Sequence, residues 1–174
     1  MTFGPEENLR RCIATLLLAL ASALLLVAPA FAAFGFEEVA QRAQELARKP
    51  HVPTPVTLPA ELKNLSYDQY RDIRFNPERA LWRKDGLPFE LAFFHLGKYQ
   101  TLPVQIHEIT AQGVRHVAFD RRDFDYGKNT LSPSNWGDLG FAGFRVHYAL
   151  NNPAYKDELV VFLGASYFLS LIHI

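Results

Sequence analysis

The sequence predicts a mainly β protein, an antiparallel sandwich or barrel with one helix near its N-terminus and a signal peptide ahead of it. Three observations carry this reading. Across residues 88–168 apolar residues recur with a period of two, in short runs joined by turn residues. Residues 35–49 hold the one clear helical period. Residues 1–32 combine a basic start, an apolar middle and a small-residue cleavage site.

Arg10 and Arg11 form the basic start, and residues 13–27 the apolar run. Ala30-Phe31-Ala32 is a small-x-small site, which places the cut between Ala32 and Ala33. The alternative is an uncleaved anchor, but the run is short for a span of about 20 residues. No stable membrane span is expected after cleavage. Arg10-Arg11 also raises twin-arginine export, which Cys12-Ile13-Ala14 fits weakly, so a general secretion signal is preferred. Cleavage removes Cys12, the one cysteine. The mature chain then has no disulfide, thiolate nucleophile or cysteine metal ligand.

In residues 35–49, Phe36, Val39, Ala40, Ala43, Leu46 and Ala47 make one apolar stripe. Glu38 with Arg42 and Glu45 with Lys49 are i, i+4 pairs, and Pro50 stops the helix. Such a stripe packs on the helix's own domain or, alternatively, meets a partner. Residues 50–59 contain four prolines and form an extended connector. Ser66 and Gln69 have capping-box spacing, so a short helix runs to Arg71. Ile73 and Phe75 start an extended segment. Asn76-Pro77 and Asp85-Gly86 are turns on either side of Trp82.

Phe89, Leu91 and Phe93 alternate with Glu90 and Ala92 in the first long strand. A turn at 97–101 leads to Val104 and Ile106, alternating with Gln105 and His107. Gln112-Gly113 turns into a strand at 114–119, and the polar residues 121–138 read as a long surface loop. Phe144, Val146 and Tyr148 alternate with Arg145 and His147, a strand with one buried face. Asn151-Asn152-Pro153 turns the chain into 159–163, whose continuous apolar run predicts cover on both faces. Gly140, Gly143 and Gly164 mark bulges or close backbone approaches.

The charges balance, 18 basic against 18 acidic, with no basic run longer than two. This argues against a nucleic-acid partner, which needs a cationic patch. Trp82, Tyr126, Trp136 and Tyr167 stand outside clean alternation and are the candidates for stacking on sugar faces. His95, His107, His116 and His147 fall on predicted strands, where two could meet across a sheet. No HxH or HxxxH spacing supports a metal site, and neither metal nor cofactor is expected. Asp123 and Asp125 could form a carboxylate pair of the glycosidase kind, though a solvated loop edge is the plainer reading. No G-x-S-x-G elbow or phosphate-binding loop occurs.

DLGFAGFRVHYALN at 138–151, followed by DELVVFLGASYF at 157–168, closely resembles the bacterial periplasmic glucan biosynthesis proteins of types G and D. The resemblance extends back through PFELAFFHLGKYQTLPVQIHEI, LSYDQYRDIRFNPERALW and FGFEEVAQRAQELARKP. It implies a galactose-mutarotase-like β sandwich followed by a smaller immunoglobulin-like domain, located in the periplasm. It also implies a part in osmoregulated glucan biosynthesis: binding, and processing or branching, of a β-1,2-linked backbone. Some members look like β-1,2-glucanases whose catalytic acids lie well downstream, so no catalytic residue is assigned here and enzymatic activity stays open. The alternative is a non-catalytic carbohydrate-binding or assembly factor for the inner-membrane glucan synthase. The implied partners are a β-glucan and that synthase. Residues 33–168 are expected to be the N-terminal part of the large domain. Residues 169–174, an apolar hexapeptide, depart from the family pattern and are expected to be a non-native tail of a truncated chain.

Overall fold

The computed structural model describes residues 35–164 and 166–170. The signal segment, with Ala30, Ala32 and Ala33, lies outside the described residues, as do residues 171–174 of the expected tail. The chain divides after Arg48 into two compact units.

In the first unit, helix α1 (Phe36–Ala47) follows an extended Gly35 and places Glu37 and Glu38 in its first turn. Acidic residues there suit the helix dipole. None of its residues is buried, and Phe36 and Leu46 are exposed.

The second unit is mainly β, a sandwich of antiparallel sheets. It begins with α2 (Ala60–Lys63) and α3 (Tyr67–Arg71). The capping box forms as expected: Ser66 N–H donates to Gln69 Oε1 at 2.8 Å, and Gln69 N–H to Ser66 Oγ at 3.2 Å. The strands are β1 (Arg74–Phe75), β2 (Phe89–Phe94), β3 (His107–Thr110), β4 (Gly113–His116), β5 (Phe124–Asp125), β6 (Gly143–Tyr148), β7 (Asp157–Leu163) and β8 (Tyr167–Ser170). They form a four-stranded sheet in the order β2-β6-β7-β8 and two-stranded sheets β1-β5 and β3-β4. Every pairing is antiparallel, and no barrel closes among the described residues.

One face of β2 and β6 meets β1, β5 and the flanks of the β3–β4 hairpin across an apolar cluster. Its buried members are Leu91, Phe93, Ile106, Phe124 and Phe141. Phe93 stacks on Phe141 with centroids 4.3 Å apart, and Phe75 meets Phe93 edge-on at 5.6 Å. A second cluster joins Leu58, Leu62, Leu65, Leu96, Trp136 and Ala142, so the short helices anchor through leucines. Each such side chain contributes roughly 2 kcal/mol by leaving water.

Gly143 shows why a glycine opens β6. A Cβ there would fall 2.1 Å from the Phe162 carbonyl oxygen, so β6 and β7 close at this end only around a bare backbone. The pairing shifts register between Val146 and His147, a β-bulge.

One element was missed and three expectations need correction. α2 was not visible, because four residues carry no period. The strand read at 104–107 lies later: Val104 makes a single bridge to Phe141, and pairing begins at His107. Residues 121–138 are mostly exposed but are not a plain surface loop. They contain β5, and Phe124 and Trp136 are buried, because aromatics scattered among polar residues turn into the two clusters. β7 is not covered on both faces: Val161 is buried, whereas Phe162 is 40% exposed.

Candidate functional site

The alternation in β2 and β6 gives their sheet two unlike faces. Directly opposed residues share a face. Glu90 lies opposite His147, itself opposite Glu158; Ala92 lies opposite Arg145. This polar face lines a cleft of about 900 Å³, whose other walls come from the α3–β1 segment and the turn at 153–156.

Glu90 is the centre of the cleft. Its Oε2 accepts from Arg83 Nη1 at 2.9 Å and its Oε1 from Lys156 Nζ at 2.9 Å. Lys156 also donates to the Leu87 carbonyl at 3.0 Å, and Arg83 Nη2 to Glu78 Oε1 at 2.9 Å. Burial alone would raise the Glu90 pKa, but the bonds from Lys156 and Arg83 outweigh it and hold the carboxyl below its ordinary value. Glu90 is thus a fixed carboxylate, although its side chain is almost wholly buried.

Arg145 crosses the same face. Its Nη1 donates to Glu158 Oε2 at 3.0 Å, and its guanidinium lies 4.2 Å from the centre of the Phe94 ring. Its Nε is buried with no hydrogen-bond partner. Tyr70 donates to the His95 carbonyl at 2.9 Å, and burial raises its phenol pKa against the opposing charge of Arg145. Tyr67 and Tyr155 line the cleft too and are more than half exposed. The arrangement offers charged donors and acceptors held in place by one another, and two open aromatic rings. Those parts suit the hydroxyls and apolar faces of a sugar.

His95 closes the floor behind β2. Its ring is edged by Phe119, Phe124, Tyr126 and Trp136, with centroids 4.8 to 5.6 Å away. Nδ1 lies against the Leu96 carbonyl, which only an N–H satisfies, so Nδ1 carries the proton. Burial lowers the pKa to about 4, opposed by that bond.

The sequence-selected aromatics separate. Trp82 lines a second, mostly apolar cavity of about 520 Å³ on the opposite face of the sheet. Its Nε1 donates to Glu108 at 2.7 Å, and its φ of 70° is a strained value for a bulky residue. Tyr126 and Trp136 pack together in the core: Tyr126 donates to the Arg121 carbonyl at 3.0 Å, and Trp136 donates to Glu61. Tyr167 is exposed on β8. None of the four lines the large cleft. Asp123 pairs with Arg79, 44 residues earlier, and Asp125 accepts from the Gly127 N–H at 2.9 Å, so each acid has a separate structural partner. Among the described residues no three His, Cys, Asp or Glu gather in a metal-binding group, and no helix is long and apolar enough to cross a membrane.

Arg83, Glu90, Arg145 and Lys156 were not singled out from sequence, and His147 was weighed only as a metal ligand. The available signal was the pair of polar positions Arg145 and His147 on a strand whose other face is aromatic. Alternation assigns them to a second face without saying that walls rise around it.

Fold and cleft together define an antiparallel β-sandwich protein with a polar, tyrosine-edged groove. Residues 34–173 match the family model described as Periplasmic glucan biosynthesis protein, MdoG, and the chain belongs to this family. Among curated relatives, Glucans biosynthesis protein G of Ralstonia nicotianae is 57% identical over 152 residues, covering 87% of this chain and 29% of that protein. The protein of the same name from Rhodopseudomonas palustris is 47% identical over 137 residues, 79% of this chain and 27% of that one. That of Pseudomonas paraeruginosa is 41% identical over 163 residues, 94% and 31% respectively. The chain thus spans under a third of the length of these relatives.

Proposed function

We propose that this chain supplies glucan-binding structure to a periplasmic protein of osmoregulated glucan biosynthesis. It holds a β-1,2-linked backbone in the cleft above Glu90 and Arg145. The observation that carries this reading is the cleft itself: mutually paired charges and two open tyrosines, in a chain of the glucan biosynthesis family. Arg83, Lys156 and Arg145 offer donors to sugar hydroxyls, Glu90 offers an acceptor, and Tyr67 and Tyr155 stack on ring faces. Paired charges suit a neutral ligand, because they leave little uncompensated field in the groove.

Hydrolysis of a glycosidic bond needs two carboxyl groups set across it, one of them able to give a proton. Among the described residues Glu90 is the one carboxylate that lines the cleft, and two cations keep it ionised. That favours binding and alignment over cleavage for this part of the protein. Processing or branching would then draw on acids elsewhere in the whole protein. An assembly factor acting beside the inner-membrane synthase uses the same binding step. Export through the general secretion route, with a cut after Ala32, belongs to the same proposal.

Calorimetry with linear β-1,2-glucan tests it. Saturable binding is expected, weakened about fivefold by Tyr67→Ala or Tyr155→Ala, as befits the loss of about 1 kcal/mol from one stacked ring. Absence of binding, or binding indifferent to both changes, removes the cleft as the glucan site.

A further inference from the structure

We propose that the cleft also takes an anionic group carried by the glucan, a carboxylate or phosphate ester that Arg71 and Arg74 meet at the α3–β1 wall. This rests on the glucan-binding reading and adds to it the class of substituent. The lining of the cleft is lopsided in charge: Arg71, Arg74, Arg83, Arg145 and Lys156 stand with one carboxylate, Glu90.

The excess sits at one wall. Glu90 pairs with Arg83 and Lys156, while Glu78 and Glu158, outside the lining, pair with Arg83 and Arg145. Three cations are thus set against three carboxylates, and the clamp around Glu90 is balanced. The α3–β1 wall is not. Among the described residues Arg71 has no carboxylate within ion-pair reach, although Asp68 precedes it by three residues on α3. Arg74 reaches one, Asp72, only at 3.9 Å, and the other oxygen of Asp72 already accepts from the Lys128 N–H at 2.8 Å. Both arginines are exposed.

Arg71 also stands beside a sugar-stacking ring. It follows Tyr67 by four residues on α3, and its guanidinium lies 5.5 Å from the centre of the Tyr67 ring. Tyr67 is still 57% exposed, so a sugar resting on its open part has a cation next to it. A guanidinium offers a carboxylate or phosphate two parallel N–H bonds, a match that a neutral hydroxyl does not make. The long Arg74–Asp72 contact, at the surface, costs little to give up in exchange.

The test is calorimetry of the full chain with two derivatives of linear β-1,2-glucan: one lightly carboxymethylated, the other hydroxyethylated, neutral and of similar bulk. At about 20 mM salt the charged derivative should bind about fivefold tighter, as two exposed cations allow. At about 0.5 M salt the preference should fall below about twofold, because screening reaches exposed charges. Arg71→Gln combined with Arg74→Gln should abolish the preference at low salt, whereas Lys84→Gln, which removes a cation outside the cleft, should leave it. No preference in the unaltered protein, a preference that survives the double change, or no binding of the carboxymethyl glucan overturns the proposal. Equal binding of both derivatives removes the anionic substituent and leaves the glucan site standing. Binding of the charged derivative alone keeps the anion site and removes the neutral-backbone reading. Inorganic phosphate separates the two sources of an anion: weak competition supports a group carried by the glucan, and displacement at concentrations matching the glucan's assigns the site to a free anion and overturns the proposal. Should the double variant fail to fold, the salt dependence of the unaltered protein decides, and a preference indifferent to salt overturns it.

Discussion

The two faces of the β2–β6 sheet are made by alternate residues of the same strands, yet different physics holds them. Leu91, Phe93, Phe144 and Val146 belong to an aromatic cluster. Glu90, Arg145 and His147 line the cleft. Burial does not separate the faces: Glu90 is 9% exposed and Leu91 7%. What separates them is specificity of partner. An apolar side chain gains from any neighbour that excludes water. A buried carboxylate is tolerable only with named donors in place. The apolar face therefore supplies stability, and the polar face supplies a fixed geometry that a ligand meets already formed.

The largest expected effect breaks the apolar side. Phe93→Ala removes a ring that contacts Phe75 and Phe141, and should cost about 3–5 kcal/mol in urea unfolding. A loss below about 1 kcal/mol would show that this face is not the stabilising one.

Next comes pH. The fold holds His95 neutral, with its pKa lowered to about 4 from 6.5. The unfolded chain takes up the proton first as pH falls. The stabilisation is therefore complete above pH 6.5 and declines between 6.5 and 4, by about 3 kcal/mol in all. The urea midpoint should drop across that window, and His95→Gln should flatten the drop. A midpoint equal at both ends in the unaltered protein would contradict the buried neutral ring.

The smallest effect sharpens the polar side. Glu90→Gln keeps the shape and removes the charge that joins Arg83 to Lys156. Because both cations are partly exposed, the cost in stability should be only about 1–2 kcal/mol. Glucan affinity should fall about tenfold, since both donors lose their anchor. Equal affinity in this variant would mean that the charge clamp does not shape the binding surface.

How far the sequence was legible follows the range of the forces involved. α1, the capping box at Ser66, β2 and β6 were all readable, because period and capping are properties of neighbouring residues. Gly143 was flagged as a close approach and is one, against Phe162. Trp136 was misread as part of a surface loop, because its partner Glu61 lies 75 residues earlier. The cleft was hidden for the same reason. Glu90 is fixed by Arg83 and Lys156 from two different turns, and no local pattern reports that they meet.

The register of the four-stranded sheet also bears on the order in which it assembles. β6 and β7 pair across a turn of about ten residues, whereas β2 finds β6 across about fifty. Closing the longer loop costs about 1.5 kcal/mol more in chain entropy. The C-terminal hairpin therefore forms as the early template and β2 docks late, so the cleft is among the last features to take shape. Substitutions in β6 and β7 should slow refolding while those in β2 speed unfolding, and high φ-values in β2 would reverse that order. A ligand resting on Glu90 would bind only after the slowest contacts of the sheet are made, and would register as a brake on unfolding with no acceleration of folding.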